Sequence, residues 1–291
     1  AFRRHIIWLK KNFTILPLSY LIEHLQKGKG LPRRACAITF DDGYENLYSY
    51  AFPVLREFSI QVAVFLTTDF IDKKAPLWVD RLEYAVGTTT IENLYVKFGH
   101  TPKKFSLASY GERCYADNTI RNYLKKIPAQ EAIETLENII TTTGKDLSST
   151  LFDSPYNGLS WEKIREMSND GIEFAAHTLT HPILARVSEK EARRQIKESH
   201  GRLKEKLGKA LPIFSYPNGQ KEDFTEVTIA LLKEAGFIAA LTAIPGCLNA
   251  DNDLFKLPRF SLDGTDRMHI FRMTISGAKE YLGRLARRLK K

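Results

Sequence analysis

Short apolar runs alternate with amphipathic segments along most of the chain. The runs are rich in Val, Ile, Ala and Phe, which is typical of buried strands, and the segments between them repeat apolar residues every three or four positions, which predicts helices. Strands are predicted at 35–40, 61–67, 172–176, 213–216 and 237–241, and helices at 2–13, 46–58, 129–140, 161–169, 189–207 and 224–235. This alternation predicts an α/β fold built on parallel strands with crossover helices.

The region from about Asp72 to Gly158 interrupts the alternation. Apart from the stretch Leu94 to Phe98, it has no pattern of a buried strand, and it contains charged, aromatic and threonine-rich segments. We therefore expect a single domain over residues 1–291 that carries a largely helical insertion, or lid, over about 72–158.

Both ends of the chain carry basic amphipathic segments. The chain starts at Ala1 within the first predicted helix and without a signal-peptide pattern, which is typical of a sequence that begins inside a domain. At the other end, about 278–291, a predicted helix puts leucines on one face and basic residues around them. Packing of these leucines on the domain is one interpretation, and peripheral contact with an anionic membrane is the other.

Composition and charge exclude several classes of protein. The 291 residues are 43% hydrophobic and 26% charged, as in ordinary globular chains, and no apolar run approaches the roughly 20 residues of a membrane span. Three scattered cysteines predict neither a disulfide framework nor a paired zinc motif. The net charge of +9 favours acidic partners, but no nucleic-acid motif or basic stripe accompanies it, so we expect no nucleic-acid partner. The compartment, cytoplasm or cell envelope, and the oligomeric state stay open.

Two adjacent carboxylates follow the first predicted strand of the sheet. Residues 39–44 read Thr-Phe-Asp-Asp-Gly-Tyr, so Asp41 and Asp42 stand directly beyond an apolar run. Asp-Gly after a strand is ordinary turn chemistry, which is one interpretation. The other is functional, because two such carboxylates can divide the work, one binding a metal ion and one acting as a base.

Two histidines follow the strand predicted at 172–176. His177 and His181 are four residues apart, and neutral imidazoles at this spacing can bind one zinc or other transition-metal ion. The alternative is a pair of histidines that only satisfy hydrogen bonds. Together with one carboxylate, they would form a ligand set that leaves positions open for water and substrate.

The strand predicted at 213–216 runs into a turn of sequence Tyr216-Pro217-Asn218-Gly219. Pro-Asn-Gly is first of all a turn signal. A turn at the end of a strand can also direct a backbone N–H at a developing oxyanion. Tyr216, Pro217 and Asn218 are therefore candidates for contact with a substrate.

In this order, the three motifs resemble those of the polysaccharide deacetylase family, also called the NodB-homology domain or carbohydrate esterase family 4. The resemblance runs from about residue 1 to 277. It implies a distorted (β/α) barrel of about seven strands and metal-dependent removal of N-acetyl or O-acetyl groups from glycans. It also implies that Asp41 is the general base, that Asp42, His177 and His181 bind the metal, and that the backbone around Asn218 contacts the oxyanion.

Two departures from the family's pattern concern the catalytic groups. Ser215 stands where the third motif usually has the Arg that orients the catalytic Asp, and Arg259 is a candidate to replace it, with an ordinary surface arginine as the alternative. The late Leu-x-His, whose His is the family's general acid, is also missing, because the one such tripeptide ends at His181. His269 lies in the right part of the chain for this acid, with an exposed helix histidine as the alternative.

The insertion contributes Trp-Val-Asp-Arg at 78–81. Trp78 could stack on a sugar and Asp80 could bind its polar groups, or both could pack locally. We therefore predict a hydrolase that uses a divalent metal, zinc in the first place, to remove acetyl groups, N-acetyl in the first place, from N-acetylhexosamine units of a glycan. The alternative is a non-catalytic relative that binds glycan or metal, which the missing Arg and acid suggest. The presence of both Asp41 and Asp42 disfavours it.

Overall fold

The structure, a computed structural model, describes residues 1–72, 76–147, 155–248, 252–263 and 266–278. Apart from its first residue, the basic segment predicted to be helical at 278–291 lies outside the described residues, and so does any contact it makes with a membrane. Within the described residues, no helix combines the length and the apolar character needed to cross a bilayer.

Helices and strands alternate over most of the described chain. The helices are α1 (Phe2–Asn12), α2 (Leu18–Gln26), α3 (Phe52–Glu57), α4 (Thr68–Ile71), α5 (Trp78–Thr88), α6 (Tyr110–Leu124), α7 (Ala129–Thr143), α8 (Trp161–Asn169), α9 (Glu189–Leu207), α10 (Glu226–Glu234) and α11 (Met268–Ile275). The strands are β1 (Thr14–Ile15), β2 (Ala35–Cys36), β3 (Thr39–Phe40), β4 (Ala63–Leu66), β5 (Asn93–Phe98), β6 (Thr101–Ser106), β7 (Glu173–Ala176), β8 (Leu211–Ser215) and β9 (Ala239–Leu241). A π-helical segment, Leu47–Ala51, leads into α3.

The central sheet has five parallel strands in the order β3-β4-β7-β8-β9, and β1 and β2 form a separate parallel pair. The sheet curls into half of a barrel, so the predicted α/β, barrel-like fold class is confirmed. The predicted number of about seven strands is not exact, because the curled sheet has five strands within the described residues. The prediction of one continuous strand at 35–40 was wrong. The chain changes partner within that run, because Ala35 and Cys36 pair with β1 whereas Thr39 and Phe40 pair with β4.

Buried apolar residues explain why these strands form the centre of the molecule. All four residues of β4 are buried, as the unbroken apolar run predicts for a parallel strand covered on both faces. The helix α9 covers the sheet with Ile196 and Leu203, both fully buried, and removal of each such side chain from water contributes about 1.5–3 kcal/mol. Ser188 caps the start of α9, and Gly208 ends it in the left-handed conformation.

The segment between α4 and α8 has a hydrophobic core of its own. Residues from α5, β5, β6, α6 and α7 form this core, including Leu82, Leu94, Phe105, Ile120 and Leu136. The predicted strand at 94–98 corresponds to β5, and it pairs with β6 in an antiparallel hairpin. As far as its residues are described, at 76–147 and 155–160, the segment is therefore a folded unit of three helices and a hairpin.

Candidate active site

The three sequence motifs meet at one edge of the sheet. Asp41 and Asp42 follow β3, His177 follows β7, and Tyr216 follows β8. These strands are parallel members of one sheet, so their carboxyl ends lie at the same edge, which is where α/β folds place their sites.

The loops of the three motifs have an unusual backbone. Among the described residues, six that are not glycine have positive φ, and four of them belong to the motifs: Asp42 (71°), Thr178 (69°), His181 (59°) and Asn218 (60°). Such conformations cost free energy and cluster at functional sites, where the surrounding structure imposes them. Gly43 adds a steric requirement, because a Cβ there would lie 2.5 Å from Leu66 Cδ2.

Asp42, His177 and His181 form a compact group of ligand atoms, all within 4.8 Å of one another. Asp42 Oδ1 lies 3.5 Å from His177 Nε2 and 3.4 Å from His181 Nε2. Bonds of about 2.0–2.1 Å to a tetrahedral metal ion put neighbouring ligand atoms about 3.3–3.4 Å apart. The spacing therefore fits one small divalent cation among the three side chains.

The hydrogen bonds of this group also fit a cation. His177 Nδ1 lies 2.7 Å from the Ser215 carbonyl oxygen. Since a carbonyl can only accept, Nδ1 carries the proton, and the lone pair of Nε2 faces Asp42. Metal-binding histidines are commonly oriented in this way. Asp42 Oδ1 is buried and has no hydrogen-bond partner among the described residues, so two electron-rich atoms face each other unless a cation lies between them.

Burial controls the protonation of the same three residues. It lowers the pKa of His177 and lowers the pKa of His181 to about 4, which keeps both imidazoles neutral at neutral pH, the form that binds metal. Burial also raises the pKa of Asp42 to about 6, although the neighbouring His177 opposes the change. The site thus disfavours an isolated carboxylate and would be stabilised by a positive ion.

Asp41 is held by Arg259 through two parallel hydrogen bonds. Nη1 donates to Oδ1 and Nη2 to Oδ2, both at 2.9 Å. The other three guanidinium N–H groups donate to Thr39 Oγ1 (3.1 Å), Ser215 Oγ (2.9 Å) and the Thr242 carbonyl oxygen (2.9 Å). All five donors of Arg259 are therefore used, and the carboxylate plane of Asp41 is fixed.

The two adjacent aspartates differ strongly in acidity. Burial alone would raise the pKa of Asp41, but the charge of Arg259 and its hydrogen bonds lower it to about 2. Its side chain is 31% exposed, against 16% for Arg259. Asp41 is consequently ionised at neutral pH and accessible from the edge of the sheet, whereas Asp42 faces the histidines.

Ser215 stands where the family's pattern has an arginine, and Arg259 contacts it from another part of the chain. The Ser215 hydroxyl accepts a hydrogen bond from Arg259 at 2.9 Å and lies 3.4 Å from Asp41 Oδ2. A guanidinium thus reaches Asp41 from the segment after β9, beyond the bridge that pairs Leu257 with Leu241.

The third motif is a rigid turn with its side chains engaged. The Tyr216 hydroxyl donates to the Phe255 carbonyl oxygen at 2.9 Å, and its ring is buried. The Gly219 N–H donates to the Pro217 carbonyl oxygen at 2.7 Å. The Asn218 N–H makes no hydrogen bond to any described residue, so this backbone donor is available at the turn. The side chain of Tyr216 is a core residue and does not face the site.

The segment between α4 and α8, where the sequence predicts an insertion, contacts two of the motifs. Trp78 Nε1 lies 3.3 Å from the His181 carbonyl oxygen, and the Tyr44 hydroxyl donates to Asp80 at 2.7 Å. Burial, together with the charge of Asp42, raises the pKa of Asp80 to about 7 in spite of the hydrogen bond from Tyr44. Trp78 and Asp80 thus lie beside the first two motifs.

His269 is not brought to this group. It is exposed on α11, the helix that packs on α1 through Phe271. Within the described part of the chain, no hydrogen bond or ion pair joins His269 to Asp41 or to the histidines of the second motif.

The second motif is held by Gln195, a residue that none of the sequence motifs indicated. Gln195 is 1% exposed, and its Oε1 accepts hydrogen bonds from the Leu179 and Thr180 N–H groups at 2.9 and 3.1 Å. The available signal was an amide on the buried face of α9, between Ala192 and Ile196. Since buried polar groups are almost always hydrogen-bonded, such a residue indicates a partner in a neighbouring loop.

Comparison with known sequences agrees with this arrangement. A family model described as polysaccharide deacetylase matches residues 28–240. A poly-β-1,6-N-acetyl-D-glucosamine N-deacetylase of Staphylococcus epidermidis is 39% identical over 71 residues, which are 24% of this chain and 24% of that protein. The protein of the same name in Escherichia coli is 37% identical over 59 residues, which are 20% of this chain and 9% of that protein. The matches thus span a quarter or less of these relatives.

Comparison with solved structures concerns the fold. A Streptococcus pyogenes deacetylase in complex with acetate superposes with a TM-score of 0.60 at 14% identity, over 94% of this chain and 84% of that chain. The deacetylase domain of a Bordetella bronchiseptica protein gives 0.55 at 17% identity, over 87% and 81%. The curled sheet is thus shared at low sequence identity. Because the family model covers residues 28–240 of 291, this chain belongs to the polysaccharide deacetylase family.

Proposed function

We propose that this protein is a metal-dependent hydrolase that removes N-acetyl groups from N-acetylhexosamine units of a polysaccharide. The observation that carries the proposal is the pairing of two different centres at one edge of the sheet. Asp42, His177 and His181 supply a ligand set for one cation, and the ionised Asp41 beside it is held by Arg259.

We propose zinc as the ion. Two imidazoles and one carboxylate favour a transition metal over Mg²⁺ or Ca²⁺, which prefer oxygen ligands. The ligand spacing of 3.4 and 3.5 Å fits tetrahedral coordination. Three protein ligands leave a fourth position free, as in catalytic rather than structural zinc sites.

In the proposed reaction, Asp41 accepts a proton from the attacking water and returns it to the amide nitrogen as the C–N bond breaks, which releases acetate and the free amine of the sugar. Its low pKa keeps it ionised, and the two hydrogen bonds from Arg259 hold the acceptor oxygens in place. The unpartnered Asn218 N–H donates to the oxygen of the tetrahedral intermediate. A divalent cation, when bound, supplies Lewis acidity that polarises the acetyl carbonyl and makes water a better nucleophile.

For the substrate we propose a polymer with N-acetylglucosamine units, the kind of glycan named for the relatives from Staphylococcus epidermidis and Escherichia coli. The folded insertion beside the motifs supports a long substrate, because Trp78 and Asp80 lie next to the loops that carry the site. The net charge of +9 adds a preference for acidic or membrane-proximal glycans.

Metal analysis and acetate release test the proposal together. Protein purified without chelator should contain about one equivalent of zinc, and Asp42→Ala and His177→Ala should lose it. Acetate should be released from β-1,6-linked N-acetylglucosamine oligomers, with free N-acetylglucosamine and O-acetylated xylan as comparisons. Activity confined to the free sugar would contradict the polymer substrate. No release from any substrate by metal-loaded protein would favour a binding-only relative.

A further inference from the structure

A lysine of the insertion reaches the third motif. Lys125 caps the carboxyl end of α6, and its Nζ donates a hydrogen bond to Asn218 Oδ1 at 2.6 Å. The two residues are separated by 93 positions in the chain, so this bond joins the separately packed insertion to the turn after β8.

Among the residues that the structure describes, the ammonium group of Lys125 has no carboxylate partner, in contrast to its neighbour Arg121. Arg121, one turn earlier on α6, is paired with Asp117 and Glu83 at 2.8 and 3.2 Å, so its charge is compensated on the insertion itself. Lys125 is half-buried and makes no ion pair within 4 Å among the described residues. Its hydrogen bond to the Asn218 amide is therefore the main polar contact of its ammonium group.

The Asn218 amide is held from both sides. Its oxygen accepts from Lys125, and its Nδ2 donates to Asp223, which is 2% exposed. The same Asp223 oxygen accepts from the Gln220 N–H at 2.7 Å. A flipped amide would put its NH₂ group against the ammonium and its oxygen against the carboxylate, so the two charges select one orientation.

We propose that Lys125 is a positioning residue for the turn of the third motif. Its ammonium fixes the Asn218 side chain, and thereby the left-handed backbone (φ 60°) of a residue whose N–H has no hydrogen-bond partner among the described residues. The inference rests on the proposed function for its catalytic consequence. It gives the insertion a defined role: besides flanking the site, the insertion sets the geometry of a backbone donor.

The experiment compares variants that remove the charge, the amide or both. Lys125→Met removes the ammonium, and Lys125→Gln keeps a hydrogen-bond donor without the charge. Lys126→Met is the matched control, because Lys126 is the exposed neighbour. Asn218→Gly removes the amide while glycine tolerates the positive φ without strain.

Hydrogen exchange in the absence of substrate is the first measurement. Amide exchange over residues 217–223 should become about tenfold faster in Lys125→Met, less so in Lys125→Gln, and stay unchanged in Lys126→Met. Zinc content and the exchange rate of β4 should match the wild type in all variants. Unchanged exchange over 217–223 in Lys125→Met would overturn the proposal, whether or not the protein proves to be a deacetylase.

Turnover is the second measurement, in the metal-loaded protein. Lys125→Met should lower kcat by about tenfold or more with little change in KM, because misplacing one oxyanion donor costs less than the hundredfold or more of deleting it. In the Asn218→Gly background, Lys125→Met should change kcat by less than about twofold. An equally large loss there would show that Lys125 acts directly on substrate and would reject the positioning role. A wild-type protein without activity would count against the proposed function, and exchange alone would then decide on Lys125.

Discussion

Replacing Arg259 by methionine tests whether the guanidinium sets the state of Asp41. The substitution keeps an unbranched side chain and deletes five hydrogen bonds, two of them to Asp41. Without the Arg259 guanidinium, burial is the dominant influence on Asp41 and raises the pKa of its carboxyl above the ordinary value. The wild-type pKa is about 2, against an ordinary 3.8.

The difference between these two pKa values determines how much the ionised Asp41 contributes to the free energy of unfolding, and how this contribution depends on pH. One pKa unit corresponds to about 1.4 kcal/mol, so the folded state stabilises the ionised Asp41 by about 2 kcal/mol net. A group with a lowered pKa contributes this stability above the unfolded pKa and loses it as pH falls through the folded value. The wild type therefore has the contribution in full above about pH 4 and loses it towards pH 2. In Arg259→Met the pKa of Asp41 is raised instead of lowered. Its carboxylate therefore destabilises the fold at neutral pH.

We expect Arg259→Met to lower the free energy of unfolding by about 3 kcal/mol at pH 7. This is the low end of the range for breaking a buried ion pair, and we choose it because the Asp41 side chain is 31% exposed. The loss should shrink to about 1 kcal/mol near pH 3. Urea unfolding at several pH values measures both, with the exposed Arg267→Met as control. Turnover at pH 7 should fall about a hundredfold with zinc content unchanged. A pH-independent loss of stability, or turnover equal to that of the control, would refute the reasoning.

Three other substitutions test separate parts of the site. Asp41→Asn should lower turnover about a hundredfold or more while zinc content, measured by elemental analysis, stays at the wild-type level; loss of zinc would mean that Asp41 is a ligand. Trp78→Ala should raise KM for an oligosaccharide about tenfold more than KM for a small acetyl ester, and equal effects would assign Trp78 to packing alone. Gly219→Ala should destabilise the protein by about 2 kcal/mol or more in urea unfolding, because its Cβ would lie 2.7 Å from the Ala243 backbone nitrogen at a φ of +64°; a stability equal to wild type would show that the turn can relax.

The sequence predicts that the three motifs lie together, because this follows from a single rule for parallel sheets. Apolar runs that alternate with helices form parallel strands, and the carboxyl ends of parallel strands share an edge. Asp42 and His177 are therefore expected near each other although they follow two strands, β3 and β7, that are far apart in the chain. Some amphipathic helices were equally predictable, and α8 and α9 have the predicted bounds of 161–169 and 189–207. The helices α2, α5 and α6 were not predicted.

Contacts between distant loops could not be predicted in this way. Arg259 lies 218 residues from Asp41, in a segment that pairs with β9 through a single bridge and has no strand pattern, so it became a candidate only through the resemblance to the family. Lys125 looks like any charged residue at the end of a helix. The hairpin partner β6 was missed because its sequence, Thr-Pro-Lys-Lys-Phe-Ser, has only one buried residue, Phe105. In each case the tertiary fold determines the contact partner, and the local sequence has no hydrophobic periodicity that would indicate it.

The geometry around Asp41 bears on the choice between an enzyme and a binding-only relative. A metal site needs Asp42 and the two histidines, and it places no demand on the charge of the preceding residue. Yet Arg259 directs two of its five donors at Asp41, and the pKa of that carboxyl is lowered to about 2 against the effect of burial. An ionised, oriented and partly exposed carboxylate beside a cation site is what proton abstraction from water requires. If the protein only bound glycan, Asp41→Asn would leave its oligosaccharide affinity and its function intact, whereas the deacetylase requires that affinity persist while acetate release is lost.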